Sequence, residues 1–269
     1  MKYQIQNNKL EIKVEGEKAF GEDRVLFQED DNLIARTNWQ KQGYTLLPLF
    51  EQPAFDAFIL GLQQVLINVM EETGLEVADN FDLTQYHRLL QQHPDFHLKI
   101  VNRAKILDYS CFPISVAKLI SRVEDEVKIP LTVLNPYNQE YIFSFRIVRP
   151  GRSDFNPLHR DAWHTELKGC LNLYIPVVGS NEHSSLCLIP SSHFWTEAEV
   201  ERTQKGAIMN DNQYTVPGLT HTNKPLHLIR PNPTQNKVLL FTPYLIHGGA
   251  ANLNPDTTRI SVEIRFWRK

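Results

Sequence analysis

Arg259-Ile260-Ser261-Val262-Glu263-Ile264-Arg265-Phe266 alternates polar and apolar residues without a break. A period of two belongs to a half-buried β-strand, because successive side chains leave opposite faces of the backbone. Here it sets Ile260, Val262, Ile264 and Phe266 on one face and Arg259, Ser261, Glu263 and Arg265 on the other. The second face is unusually polar for an internal strand. Four earlier runs rich in β-branched and aromatic residues, at 141–148, 169–176, 185–189 and 237–242, are separated by clusters of Pro, Gly, Asn and Ser. Most lack a helical crossover between them, so the chain beyond Pro130 reads as an antiparallel barrel or jelly roll, not a parallel sheet. Residues 196–225 show few apolar positions and no sustained period; they read as a long loop with one helical turn at 197–202, a candidate lid.

Upstream the period changes from two to 3.6. Phe55, Phe58, Ile59, Leu62, Val65, Leu66 and Met70 keep helical spacing over 52–72, and Gly74 is placed to end that helix. Leu83, Tyr86, Leu89 and Leu90 mark a second helical piece and Val116, Leu119, Ile120 and Val123 a third, with Pro94 and Pro113 as interruptions. Residues 43–48 read as a strand, and 10–14 alternate like a short one. With no repeat or clear linker, the chain reads as one domain, mainly β with flanking helices (α+β): an N-terminal extension at 1–42, helical support at 43–130 and a β core at 131–269.

Composition narrows the partners. The 269 residues are 42% hydrophobic and 22% charged, as in ordinary globular proteins, and a net charge of -3 leaves no basic excess for tracking phosphates. Nucleic acid is therefore not expected. Cys111, Cys170 and Cys187 offer neither a disulfide framework nor a CxxC pair. The first residues lack a signal-peptide core, and the most apolar stretch, 57–70, is broken by Gly61, Gln63, Gln64 and Asn68. The expectation is a cytoplasmic protein with a small-molecule partner and no membrane; oligomeric state is not legible.

The chemically suggestive segment is Leu158-His159-Arg160-Asp161-Ala162-Trp163-His164. His159 and Asp161, two apart, project to one face if extended, their Cα atoms about 6–7 Å apart. An imidazole and a carboxylate joined by a distant histidine make the two-His-one-carboxylate set that leaves positions open on non-haem Fe(II). His247, after the run at 237–242 and before Gly248-Gly249, is the third candidate. His93-Pro94-Asp95 has the same spacing, but its proline opposes strand geometry and it reads as a surface turn. His164-Thr165-Glu166 lies one register out and faces the other way. On the last strand, Arg259 beside Ser261 suits a dicarboxylate, through paired guanidinium donors and a hydroxyl. Arg265 lies about 20 Å farther along, so Arg259, nearer His247, is the choice.

The series His159-x-Asp161, His247, Arg259-x-Ser261 resembles the Fe(II)/2-oxoglutarate-dependent oxygenases, in particular the phytanoyl-CoA dioxygenase-like branch. Gly43-Tyr44-Thr45-Leu46-Leu47-Pro48 before a helix is similar to that branch's opening, and Ser185-Leu186-Cys187-Leu188-Ile189-Pro190-Ser191-Ser192-His193 to its strand and turn before the lid. Residues 1–40 do not match, and Ser192 stands where the branch has glycine. The resemblance implies a double-stranded β-helix (jelly roll, cupin-like) core and Fe(II) on His159, Asp161 and His247. It further implies 2-oxoglutarate and O2 as co-substrates, the far carboxylate meeting Arg259 and Ser261, with Asn172 and Tyr174 as further co-substrate contacts. Arg146, Arg149 and Trp163 are the substrate-side candidates, packing being the other reading of Trp163, and His193 reads as a turn-holding hydrogen bonder. Because related halogenases replace the carboxylate by a small residue, Asp161 implies hydroxylation or another oxidation, of a small polar metabolite such as a carbohydrate, amino acid or natural-product intermediate. Two other readings remain open: a non-catalytic β-barrel that binds a metabolite, and a cupin-like metal enzyme without 2-oxoglutarate in which His164 or Glu166 replaces a ligand.

Overall fold

A computed structural model describes residues 1–5, 7–234 and 236–269. Its centre is an antiparallel sheet in the order Tyr44–Pro48, Lys237–Phe241, Leu171–Val178, Arg259–Arg268, Ile142–Val148 and Leu107–Asp108. Leu131–Thr132 also pairs with the far end of Arg259–Arg268. The last strand is thus central, flanked on both sides, and its alternation partitions the molecule. Ile260, Val262, Ile264 and Phe266 join Phe143, Phe145, Leu171, Leu173, Ile175, Val238 and Leu240 in the main core. Register places Ser261 opposite Arg146 and Pro176, Glu263 opposite Ser144 and Tyr174, and Arg265 opposite Asn172, so the other face is polar over several strands.

Helices cover the apolar face. Helix α1 (Gln52–Glu72) starts with a proline in its first turn and ends where the Leu75 N–H reaches the Met70 carbonyl, with Gly74 at φ +91 making the reversal. It buries Phe55, Phe58, Leu62, Leu66, Val69 and Met70, each stabilising the fold by roughly 1.5–3 kcal/mol relative to exposure. Among the described residues α1 alone is long and apolar enough to cross a membrane; its apolar stripe is spent on this core. Helices α2 (Tyr86–Gln92), α3 (Phe96–Ala104) and α4 (Val116–Val127) complete the layer, in the segments whose period is 3.6.

The layer over the polar face differs from expectation. Residues 196–225, read as a loop, carry four short strands after a single 3-10 turn at Glu197–Glu199. Val200–Thr203 pairs with Lys18–Phe20 and Leu219–Thr222, and Ala207–Met209 with Val14–Glu15 and Asn212–Tyr214. Lys2–Ile5 lies between Asn8–Glu11 and His227–Leu228. Strands of two to four residues are too short to display a period. The N-terminal segment is accordingly built into the domain: Tyr3, Ile5, Ile12 and Val14 are buried with Leu158, Cys187, Val200, Met209 and Ile246. The strand expected at 185–189 is reduced to bridges from Leu188 to Ile229 and His247.

His193 closes this layer at one end. It is 1% exposed, shares a hydrogen bond of 2.9 Å through Nε2 with the Gln40 carbonyl, and leaves Nδ1 without a partner. Burial pushes its imidazole down from the ordinary 6.5 to about 4. The unfolded chain therefore takes up a proton before the folded one does. Stability contributed by this histidine is complete above pH 6.5 and is lost as pH falls toward 4. The urea midpoint of the protein is expected to drop over that window, and less steeply for His193→Gln; equal slopes would show that the residue does not carry the effect.

Candidate metal centre

The backbones of His159 and His247, 88 positions apart in sequence, exchange both hydrogen bonds of an antiparallel bridge, 2.9 Å each way. This pairing brings the imidazole centroids to 4.3 Å. Asp161 is reached differently from the sequence expectation. Arg160 is extended, but Asp161 opens a 3-10 turn, Asp161–Trp163, so the ligand pair spans a strand end instead of lying within a strand. The result is still convergent. Asp161 Oδ1 lies 3.2 Å from His159 Nε2 and 3.6 Å from His247 Nε2, and ligand atoms of all three buried residues lie within 4.8 Å of one another. Ligands about 2.1 Å from a common ion are separated by similar distances.

Each ring's other nitrogen is committed. His159 Nδ1 is 2.8 Å from the Pro157 carbonyl and His247 Nδ1 is 3.0 Å from the Leu245 carbonyl. A carbonyl only accepts, so each Nδ1 carries the proton and each Nε2 presents its lone pair to the centre. For His247, burial and the neighbouring His159 lower the pKa to about 4. Burial would raise Asp161, but Arg265, His247 and His159 together hold its carboxyl well below the usual range. The cluster thus offers two imidazole Nε2 atoms and a carboxylate, a donor set suited to a divalent transition metal.

The cluster opens into a cavity of about 250 Å³ whose walls include Arg146, Asp154, His164, Glu166, Arg259, Glu263 and Arg265. Arg259 is 3% exposed and donates to Ser261 Oγ at 2.8 Å and to the Ser184 carbonyl at 3.2 Å. It has no carboxylate partner among the described residues. Tyr174 lies beneath it, with the guanidinium 5.9 Å from the ring centroid and the hydroxyl 2.9 Å from Ser180 Oγ. Asn172 is buried with Nδ2 unpaired. Arg146 lines the cavity with Nε on Glu263 at 2.9 Å.

Two substrate-side candidates stand elsewhere. Arg149 is turned to Asp154, at 2.7 and 2.8 Å, and faces an outer depression with Arg88 and Arg152. Trp163 donates to Glu197 at 3.0 Å and stacks under Arg202, outside the cavity wall. Both are held by partners in loops whose placement sequence periodicity does not give. His93 and Asp95 are exposed at the junction of α2 and α3, and His164 and Glu166 stay outside the triad.

Two contacts were not read from the sequence. Arg265 reaches Asp161 Oδ2 with Nη2 at 3.3 Å and Nε at 3.4 Å. Its signal is the polar face it shares with Arg259; distance along the strand from Arg259 does not remove it from the site. Arg160, fully buried between the two ligands, pairs with Glu197 and donates to the Ser192 and Trp195 carbonyls at 2.7 and 3.0 Å. It anchors the His159–Asp161 segment from its opposite side. No local pattern reveals that, because Glu197 lies 37 residues on.

No protein-family model matches the sequence, and no curated protein matches it. Among solved structures, the chain is similar to ThoJ, described as a non-heme monooxygenase in apo form, at 12% identity over 88% of this chain and 77% of that one, with a TM-score of 0.53. It is also similar to SnoK, a non-heme alpha ketoglutarate dependent carbocyclase from nogalamycin biosynthesis, at 15% identity, 91% and 87% coverage and a TM-score of 0.47. A third is EctD from S. alaskensis with 2-oxoglutarate and 5-hydroxyectoine, at 15% identity, 99% and 86% coverage and a TM-score of 0.47. The likeness to ThoJ is one of fold, and the mainly β architecture with a few helices is consistent with a jelly roll.

Proposed function

We propose that the protein is a non-haem Fe(II)- and 2-oxoglutarate-dependent oxygenase acting on a small polar molecule. The observation that carries the reading is the buried His159, Asp161 and His247 cluster with both imidazole protons already assigned to carbonyls, opening on a cavity with a guanidinium that lacks a carboxylate partner. The bridges 159/247, 188/229 and 188/247 opposite the large sheet support a double-stranded β-helix as the finer description of the core.

His159, Asp161 and His247 would hold Fe(II), which with 2-oxoglutarate and O2 supplies an oxidation: one oxygen atom enters a substrate C–H bond and the other enters succinate, with release of CO2. Arg259, fixed by Ser261 and Ser184, receives the far carboxylate of the co-substrate. Tyr174 supports that guanidinium from beneath, whereas Asn172, in register with Arg265, stands apart from it. Arg146, with both Nη groups free of hydrogen bonds among the described residues, faces the substrate. Charged side chains such as Arg146, Glu263 and Arg265 stand among apolar ones such as Phe155 and Leu186 in the inner wall, and these charges favour a metabolite with polar groups over a fatty acyl chain. Burial of the triad excludes bulk water from the reacting side.

Anaerobic titration with Fe(II) and 2-oxoglutarate is expected to produce the visible charge-transfer band of the chelate, and oxygen should then release succinate; absence of the band under saturating conditions would reject the reading. Arg259→Ala should chiefly raise the KM for 2-oxoglutarate, by about 10- to 150-fold, the equivalent of a charge-assisted bond of 1.5–3 kcal/mol. A fall in kcat at unchanged KM would place that arginine elsewhere in the cycle.

A further inference from the structure

We propose that Arg265 is a positioning residue that divides the two oxygens of Asp161, holding Oδ2 itself and leaving Oδ1 to the metal. The proposal rests on the triad being a metal centre. Both Nε and Nη2 of Arg265 converge on Oδ2, at 3.4 and 3.3 Å, while Oδ1 faces the two imidazole Nε2 atoms at 3.2 and 3.6 Å. The carboxylate, 3% exposed, therefore has one oxygen for each partner. Left alone, a carboxylate can engage a cation through both oxygens, which would occupy a further position. Restricting it to one keeps that position free for other ligands.

The guanidinium is itself braced. Glu263 Oε2 stands 3.8 Å from Arg265 Nη2 and accepts from Arg146 Nε at 2.9 Å. Arg146, Glu263, Arg265 and Asp161 form a line of alternating charges across the cavity wall, with no net charge. All but Asp161 come from two neighbouring strands, Arg146 from Ile142–Val148, in register with Ser261, and Glu263 and Arg265 from Arg259–Arg268, so the sheet fixes the line. An ammonium could neutralise Asp161, but it lacks a planar fork that sends two donors to one oxygen.

The test uses Co(II), whose visible spectrum reports coordination number, on the full-length protein. Arg265→Met should weaken Co(II) binding by about 10- to 100-fold, as loss of outer partners of metal ligands does, and should shift the spectrum toward higher coordination. Arg265→Lys should fall between, and Glu263→Gln should move both readouts less, in the same direction. With metal saturating, the 2-oxoglutarate affinity of Arg265→Met should remain close to that of the parent. If Arg265 only supports the fold, thermal stability will fall in these variants while Co(II) affinity and spectrum stay as in the parent, and the proposal is overturned. Lack of Co(II) binding by the parent protein would instead overturn the functional reading beneath it.

Discussion

Asp161→Ala is expected to yield a folded protein that no longer retains a divalent metal. Metal affinity should fall by more than about 100-fold, beyond what removal of an outer partner produces, because the only anionic donor of the cluster is gone. Two imidazoles would remain facing Arg265, a cation whose other carboxylate partner is Glu263 at 3.8 Å. 2-Oxoglutarate-dependent succinate formation should vanish with the metal. The fold is expected to persist, since Asp161 sits in a single 3-10 turn outside the large sheet, and circular dichroism checks this. Retained metal binding at parental affinity would remove the basis of the assignment.

Gly248→Ala should be nearly as damaging, by another route. Gly248 has φ +102, and a Cβ built there would lie 3.0 Å from His159 Nδ1 and closer still to the Pro157 carbonyl oxygen. That carbonyl holds the His159 proton on Nδ1. The backbone cannot yield without releasing the tautomer, so the methyl group should cost about 3 kcal/mol or more from combined strain and overlap. This corresponds to a fall in melting temperature of about 6–12 °C, together with weaker Co(II) binding measured below the transition. A variant as stable as the parent would mean that the turn is not constrained as described.

The helical third and the large sheet were legible because their periods are long and uninterrupted. Gln52–Glu72 shows seven apolar positions on one stripe, and the last strand alternates from Arg259 to Phe266. The same alternation foretold a polar inner face. The opposite layer was not legible: Val14–Glu15, Ala207–Met209 and Asn212–Tyr214 have two or three residues each, and the first two pair with each other across nearly 200 positions. At the candidate site the ordered series of His159, Asp161, His247 and Arg259 could be read from residue type and spacing, and the structure brings them to one cavity. The tethers around them could not, because Arg160 with Glu197 and Arg265 with Asp161 depend on tertiary placement. Arg259 and Arg265 are about 20 Å apart along the strand, yet both line the cavity and Arg265 reaches Asp161 on the metal side.

The parallel pairing of Gln4 with His227 and Ile5 with Leu228 constrains how such a chain is made. During vectorial synthesis the first segment emerges long before its neighbour exists, and at roughly 5–20 residues per second it waits on the order of ten seconds or more. Contacts of such long sequence separation are slow to form. The layer over the polar face is therefore completed late, after the helices have been translated, and Tyr3, Ile5 and Val14 lack their later partners in that cluster until then.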